Sequence, residues 1–258
     1  MNISIQQAAS SIKAYEQWHE TIARNLSAAS IPGFKASEFF MKSTPKPEGP
    51  SQVAPTEFGS SSKTYQMPEG YTQLSFSAGP LKKTGIATDL AITGNGFFEI
   101  QLPNGERGYT RDGEFKISND NVLLTKLGHP VLDATGAPIT FEPNTGHNFT
   151  IGPKGQISEN GIFAQKTLKL TEFGEPNELI PMGGGIFKMT DPIAADLKSD
   201  GDTTIEVHQY HIEQSNVSTI HEMTRMIQAM RSNEVNHRII QHHDQRLGKT
   251  IAELGQPI

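Results

Sequence analysis

A mainly β central domain, a sandwich or small barrel of short strands held between long N- and C-terminal α-helices, is what this 258-residue sequence predicts. Three observations predict it. The chain has 24 Gly and 16 Pro, yet none lies between Met1 and Ile31 or between Asp202 and Leu247. Both breaker-free ends carry apolar residues at helical spacing, and the stretch between them reads as short strands separated by turns. Gly and Pro interrupt helices, and Gly supplies the positive φ of tight turns, so helical ends around a turn-rich middle follow.

At the first end Ile5, Ala8, Ile12, Tyr15, Ile22 and Leu26 line up as a single stripe. Pro32-Gly33 stops the helix, which makes residues 1–33 an N-terminal helical segment. Residues 34–75 are rich in Ser, Thr, Pro and Lys and read as an extended connector. Its isolated aromatics, Phe39, Phe40, Phe58, Tyr65 and Tyr71, argue against a freely solvated tether. In residues 76–201, the all-β domain, Phe98, Ile100 and Leu102 alternate with Glu99 and Gln101 before a hairpin signal at Pro103-Asn104-Gly105. Further turns fall at Ser118-Asn119-Asp120-Asn121, Ala134-Thr135-Gly136, Pro153-Lys154-Gly155 and Asn160-Gly161. Residues 202–258 supply a return strand and the second helix, entered through Ser215-Asn216 as a cap. Its stripe is Val217, Ile220, Met223, Ile227 and Met230; Glu234, His237 and Gln241 interrupt it before Ile240, Leu247, Ile251 and Leu254. Stripes this narrow are seams for other helices, so both ends are expected to pair, and to gain order, on assembly.

Composition removes several classes of function. The chain has no Cys, which excludes disulfides, thiolate nucleophiles and Cys-ligated metals. A net charge of −6 with no basic run argues against nucleic acid or an anionic membrane surface as partner. No apolar run reaches the roughly 18 residues of a membrane span, and the first residues show no basic and apolar pattern of a cleaved signal.

The motifs point further. The run Asp89-Leu90-Ala91-Ile92-Thr93-Gly94-Asn95-Gly96-Phe97-Phe98, then Tyr109-Thr110-Arg111-Asp112-Gly113-Glu114-Phe115 and Gly128-His129-Pro130-Val131-Leu132, resembles the central signature of bacterial flagellar rod and hook proteins. Asn25-Leu26 with Ile31-Pro32-Gly33-Phe34-Lys35 is similar to that family's amino-terminal motif. Glu213-Gln214-Ser215-Asn216-Val217, Met226-Ile227-Gln228-Ala229, Arg231, Glu234, Asn236 and Asp244 are similar to its carboxy-terminal one. Arg24, Ser27-Ala28-Ala29, Met230 and Asn233 depart from the usual pattern, as do six His between His208 and His243. The resemblance implies a structural rod subunit without catalytic, cofactor-binding or metal residues. It implies a basal-body location reached through the flagellar export apparatus without a cleaved signal, and partnership with itself and with other rod or hook subunits. A short hook-type axial protein is the nearest alternative, although no outer domain is inserted here.

Several residues admit competing readings, and their chemistry separates them. Asp89, Asp112 and Asp133 suggest paired carboxylates and an envelope carbohydrate-binding module, but each adjoins a turn where Asp caps backbone amides. Gly94-Asn95-Gly96 lacks the third Gly and the helix of a phosphate loop. Arg111 and Asp112 are expected to fix a hairpin or to meet a neighbouring subunit, and Asn25 and Asn236 to bond between helices in the assembled tube. His208 and His211, read as one strand, point to opposite faces, and adjacent His242 and His243 diverge on a helix, so neither pair makes a metal site.

Overall fold

The computed structural model describes residues 3–47, 64–142, 149–159, 161–173, 179–189 and 205–254. Phe58 and Asn160 lie outside the described residues, as do the side chains of Ile5, Tyr65, Ile251 and Leu254. The chain forms two compact units: Met1–Leu26, Ser37–Gln73 and Thr219–Ile258 make one, Ser27–Ala36 and Leu74–Ser218 the other. The return strand therefore belongs with the β-domain and not with the helix that follows it, and the segment read as a connector joins the helices in one unit.

In the helical unit, α1 (Ile3–Ala28) runs without interruption to a turn in which the Ile31 N–H donates to Ala28 O, just before Pro32. The segment after it is a long two-stranded ribbon, β1 (Ser37–Pro47) and β2 (Thr64–Leu74). The ribbon lies on α1. Trp18 stacks on Phe39 with ring centroids 6.1 Å apart, Phe40 stacks on Tyr71 at 5.5 Å, and Gly70 leaves room for the Phe39 ring, which a Cβ would approach to 2.5 Å. This contact gives the aromatics of the segment their purpose. It uses a face of α1 that the apolar pattern did not mark: Ala14, Thr21 and Asn25 are buried along it, small or polar residues that admit the ribbon. The second helix, α2 (Thr219–Leu254), buries Glu222 and Ala229 and turns the predicted stripe outward.

The β unit contains β3 (Leu81–Lys83), β4 (Leu90–Thr93), β5 (Gly96–Gln101), β6 (Arg107–Thr110), β7 (Phe115–Ile117), β8 (Leu123–Thr125), β9 (Phe149–Ile151) and β10 (Gln156–Glu159). It continues with β11 (Ile162–Thr167), β12 (Leu170–Glu172), β13 (Leu179–Gly183), β14 (Ile186–Met189), β15 (Glu206–Gln209) and β16 (His211–Glu213). A five-stranded sheet has the order β12-β5-β6-β14-β13, and β11-β10-β9 form a second sheet. The pairs β15-β4, β16-β3 and β7-β8 complete the pattern. The hairpin expected at Pro103-Asn104-Gly105 is β5-β6, closed by Gly105 N–H donating to Leu102 O, with Gly105 at φ 81°. Alternation along β5 separates two cores. Phe98 and Ile100 join Leu90, Leu123, Val131, Ile139 and Ile157 on one side, whereas Phe97 joins Tyr109, Phe173, Phe187 and Met189 on the other. No helix among the described residues is long and apolar enough to cross a membrane.

Gly113 sits where two backbones touch: Leu90 N–H donates to Gly113 O, and a Cβ on Gly113 would lie 1.6 Å from Leu90 O. Gly128, at φ 92°, has open space where its Cβ would be. Gly113→Ala should therefore cost more than about 4 kcal/mol, and Gly128→Ala only about 1–2 kcal/mol of left-handed strain. Urea unfolding followed by circular dichroism distinguishes the two.

Candidate functional site

The three motif regions meet at one place inside the β unit. Lys35, Arg111 and Glu213 are buried together, at 1%, 3% and 1% side-chain exposure. Lys35 Nζ donates to Glu213 Oε1 at 2.8 Å and to Ser77 O at 2.9 Å. Gly79 N–H reaches the same carboxylate oxygen at 2.8 Å. Arg111 Nη1 lies 3.3 Å from Glu213 Oε2, its Nη2 donates to Gly94 O at 2.6 Å, and its guanidinium covers the Phe97 ring at 4.8 Å. Burial pushes the Lys35 amine and the Arg111 guanidinium below their usual ranges, and Glu213 opposes this in both. One carboxylate thus balances two cations, with carbonyl dipoles supplying the rest.

The turn Pro32-Gly33-Phe34 is built into this junction. Gly33 N–H donates to Glu213 O at 2.8 Å, and a Cβ on Gly33, at φ 65°, would lie 2.3 Å from the Arg111 carbonyl carbon. Phe34 is half-buried and its carbonyl accepts from Asn216 N–H. Gly33 is therefore more than a helix stop, because it is the only residue type that lets these backbones cross. Lys35 and Glu213 carry the junction, yet sequence reasoning named them only as members of motifs. The signal available was a charged residue directly beside each terminal motif.

Within the single chain two asparagines make local bonds. Asn25 Nδ2 donates to Ser37 O and its Oδ1 accepts from Ser37 N–H, both at 2.9 Å, so its amide acts as a strand partner within the same chain. Leu26 beside it is half-buried. Asn236 donates to Ser232 O in its own helix. Ser215 and Asn216 do not cap α2, which starts at Thr219: Ser215 Oγ accepts from Val217 N–H at 3.2 Å. Asn216 Oδ1 accepts from Ala36 N–H at 2.7 Å, and its Nδ2 donates to Ser75 O, Ser77 O and Ser77 Oγ.

The carboxylates do not converge on one cleft. Burial pushes Asp112 up to about 6, with Glu114 and Asp89 adding to the rise, and pushes Asp89 above its ordinary value, with Glu114 adding to it. Asp112 Oδ1 accepts from Glu114 N–H at 3.0 Å. Asp133 Oδ1 is instead occupied in its own turn by Thr135 and Ala137 N–H. His208 and His211 correct the strand argument: Tyr210, at φ 66°, breaks the alternation between β15 and β16 and brings the two rings to 6.3 Å. Among the described residues no group of three or more His, Asp or Glu is placed to hold a metal.

The other candidate surface is α2. Ile220, Met223, Ile227 and Met230 are 82%, 55%, 53% and 54% exposed, and Arg231 beside them is exposed too. Between α1 and α2 runs a groove of about 450 Å³, lined by Tyr15, His19, Ala229, Asn233 and His237 among others.

Comparison with known proteins decides the family. The flagellar hook protein FlgE/F/G D1 domain matches residues 91–159, and the flagellar basal body rod FlgEFG protein C-terminal domain matches residues 208–253. The chain is 33% identical to flagellar basal-body rod protein FlgF of Caulobacter vibrioides over 215 residues, 83% of this chain and 82% of the relative. It is also 33% identical to FlgG of Borreliella burgdorferi over 260 residues, covering 93% and 94%, and 30% identical to FlgF of Rhizobium meliloti over 256 residues, 99% of each. The chain belongs to the flagellar basal-body rod protein family. It is a structural subunit of the rod and not an enzyme. In this rod protein Arg111 comes from one matched domain and Glu213 from the other, so the buried junction joins the two.

Removing Glu213 leaves two buried cations uncompensated, and Glu213→Ala should cost about 3–5 kcal/mol of stability in urea unfolding. Asp112 supplies a test in pH. A carboxyl whose folded-state pKa is raised destabilises the fold when ionised, so the penalty is present above about pH 6 and fades as pH falls through 6 toward the ordinary aspartate value. Asp112→Asn keeps the acceptor for Glu114 N–H. Its unfolding temperature should exceed that of the parent at pH 7.5 and converge on it only near pH 3, below the ordinary aspartate value.

Proposed function

We propose that this rod protein polymerises through its terminal helices, with copies of itself and with other rod and hook subunits, into an axial tube that transmits torque across the periplasm. The flagellar export apparatus delivers the chain there without a cleaved signal. The observation that carries this reading is the outward apolar stripe of α2, with Ile220 at 82% exposure. Large apolar side chains repeating every three or four residues in water are stable only when another surface covers them. The stripe lies on one side of a helix and cannot pair with itself in a closed way unless the contact is two-fold, so a heterologous contact repeated by rotation and translation gives a filament.

The groove between α1 and α2 supports closer pairing of the two helices on assembly. Asn233 Oδ1 and Glu222 Oε2 are buried without a hydrogen-bond partner, places where an incoming chain supplies donors. Ile12 and Leu26 of α1 and Val217, Ile220, Met223, Ile227 and Arg231 around α2 form the assembly set in this reading, whereas Ile22 is buried within the chain. The carbohydrate-binding alternative is disfavoured because Asp133 is committed to its own turn and Asp112 Oδ1 to the Glu114 N–H.

The double variant Ile220→Asp with Ile227→Asp tests the reading. Both positions are more than half exposed, so monomer stability should change by no more than about 0.5 kcal/mol. Tubes seen by electron microscopy on concentrating the parent protein should be missing for the variant. Tubes formed equally well by both would overturn the role given to the stripe.

A further inference from the structure

The chain passes between its two units four times, after Leu26, Ala36, Gln73 and Ser218. We propose that Asn216 and Asn25 form a two-sided latch on these passages, so that load arriving along α2 is shared by several segments of the β unit rather than borne by one. The inference rests on the load-bearing reading above only for its purpose; the latch itself is a property of the free chain. On the β side, Asn216 stands three residues before α2 begins and binds two other passages at once. It accepts from Ala36 N–H at 2.7 Å and donates to Ser75 O at 2.9 Å and Ser77 O at 3.1 Å. Ser75 N–H in turn donates to Ala36 O at 2.8 Å, which closes the ring of contacts. On the helical side, Asn25 holds both backbone groups of Ser37. The two amides therefore hold adjacent residues, Ala36 and Ser37. Glu213, three residues before Asn216, anchors the same segment through Lys35 and Arg111. A backbone segment pulled at Thr219 meets Asn216 first, and it cannot move without releasing Ala36 and Ser75 together.

Hydrogen exchange on the full chain tests this. In Asn216→Ala the Ala36 and Ser75 amides should exchange about tenfold faster or more, since each lost bond contributes about 1 kcal/mol. The core amides of Leu123 and Ile139, bonded to Ile139 O and Val131 O, should be unchanged. Asn25→Ala should release Ser37 and leave Ser75 protected, and Asn236→Ala, which removes a bond internal to α2, should alter none of them. The absence of Cys also permits unique pulling handles at two exposed lysines, Lys154→Cys and Lys249→Cys. Under force between them, the ring of contacts Ala36–Asn216–Ser75 should open about tenfold faster in Asn216→Ala. Equal exchange in parent and variant, uniform acceleration of every amide, or an unchanged opening rate would each overturn the latch. Tube formation by the parent is scored separately, so failure of the latch and failure of the assembly reading are distinguishable.

Discussion

One buried carboxylate organises this molecule. Glu213 takes charge-assisted hydrogen bonds from Lys35 and Arg111 and the Gly79 N–H on its carboxylate, and its backbone carbonyl takes the Gly33 N–H, so one residue fixes three distant segments. Buried ion pairs contribute little net stability, because desolvation offsets attraction. Their value here is positional. An apolar residue at 213 would bury equally well but would not choose among neighbours, whereas a carboxylate between two cations fits only one arrangement. The close crossing of Gly33 over the Arg111–Asp112 peptide and the packing of Arg111 on Phe97 depend on that choice.

The architecture was legible because its punctuation is strong. The run free of Gly and Pro became α1, and Pro103-Asn104-Gly105 became the β5-β6 hairpin. The ribbon was read only as an extended connector, since Phe39, Phe40 and Tyr71 show that something packs there without showing what. Their partner is a face of α1 made of Ala14, Thr21 and Asn25, which no hydrophobic pattern reveals. For the junction, composition indicated motifs but not contacts. Lys35 and Glu213 look like ordinary surface charges in one dimension, and only the fold removes them from water. Tyr210 misled in a different way: a non-Gly residue at positive φ is rare, so an unbroken strand was the reasonable expectation for His208 and His211.

The two terminal helices, alike in sequence pattern, are unlike in the folded chain. The stripe of α1 includes Ile22, which is almost fully buried, while that of α2 is open from Ile220 to Met230. The ribbon lies on α1, whereas the stripe of α2 is open to solvent. Order on assembly, expected for both ends from their narrow stripes, is therefore an argument about α2 more than about α1.

The separation along the chain between the members of the junction has a consequence for folding in time. Lys35 and Glu213 are 178 residues apart, and Arg111 and Glu213 are 102 apart. A contact that closes so long a loop cannot form until nearly the whole polypeptide is present, and non-local contacts of this kind form slowly. Until then the two cations have no carboxylate to meet, and the Pro32-Gly33 turn has no carbonyl to receive it. The molecule thus carries its own completeness check: a nascent chain stays loose at its first turn until β16 fastens it.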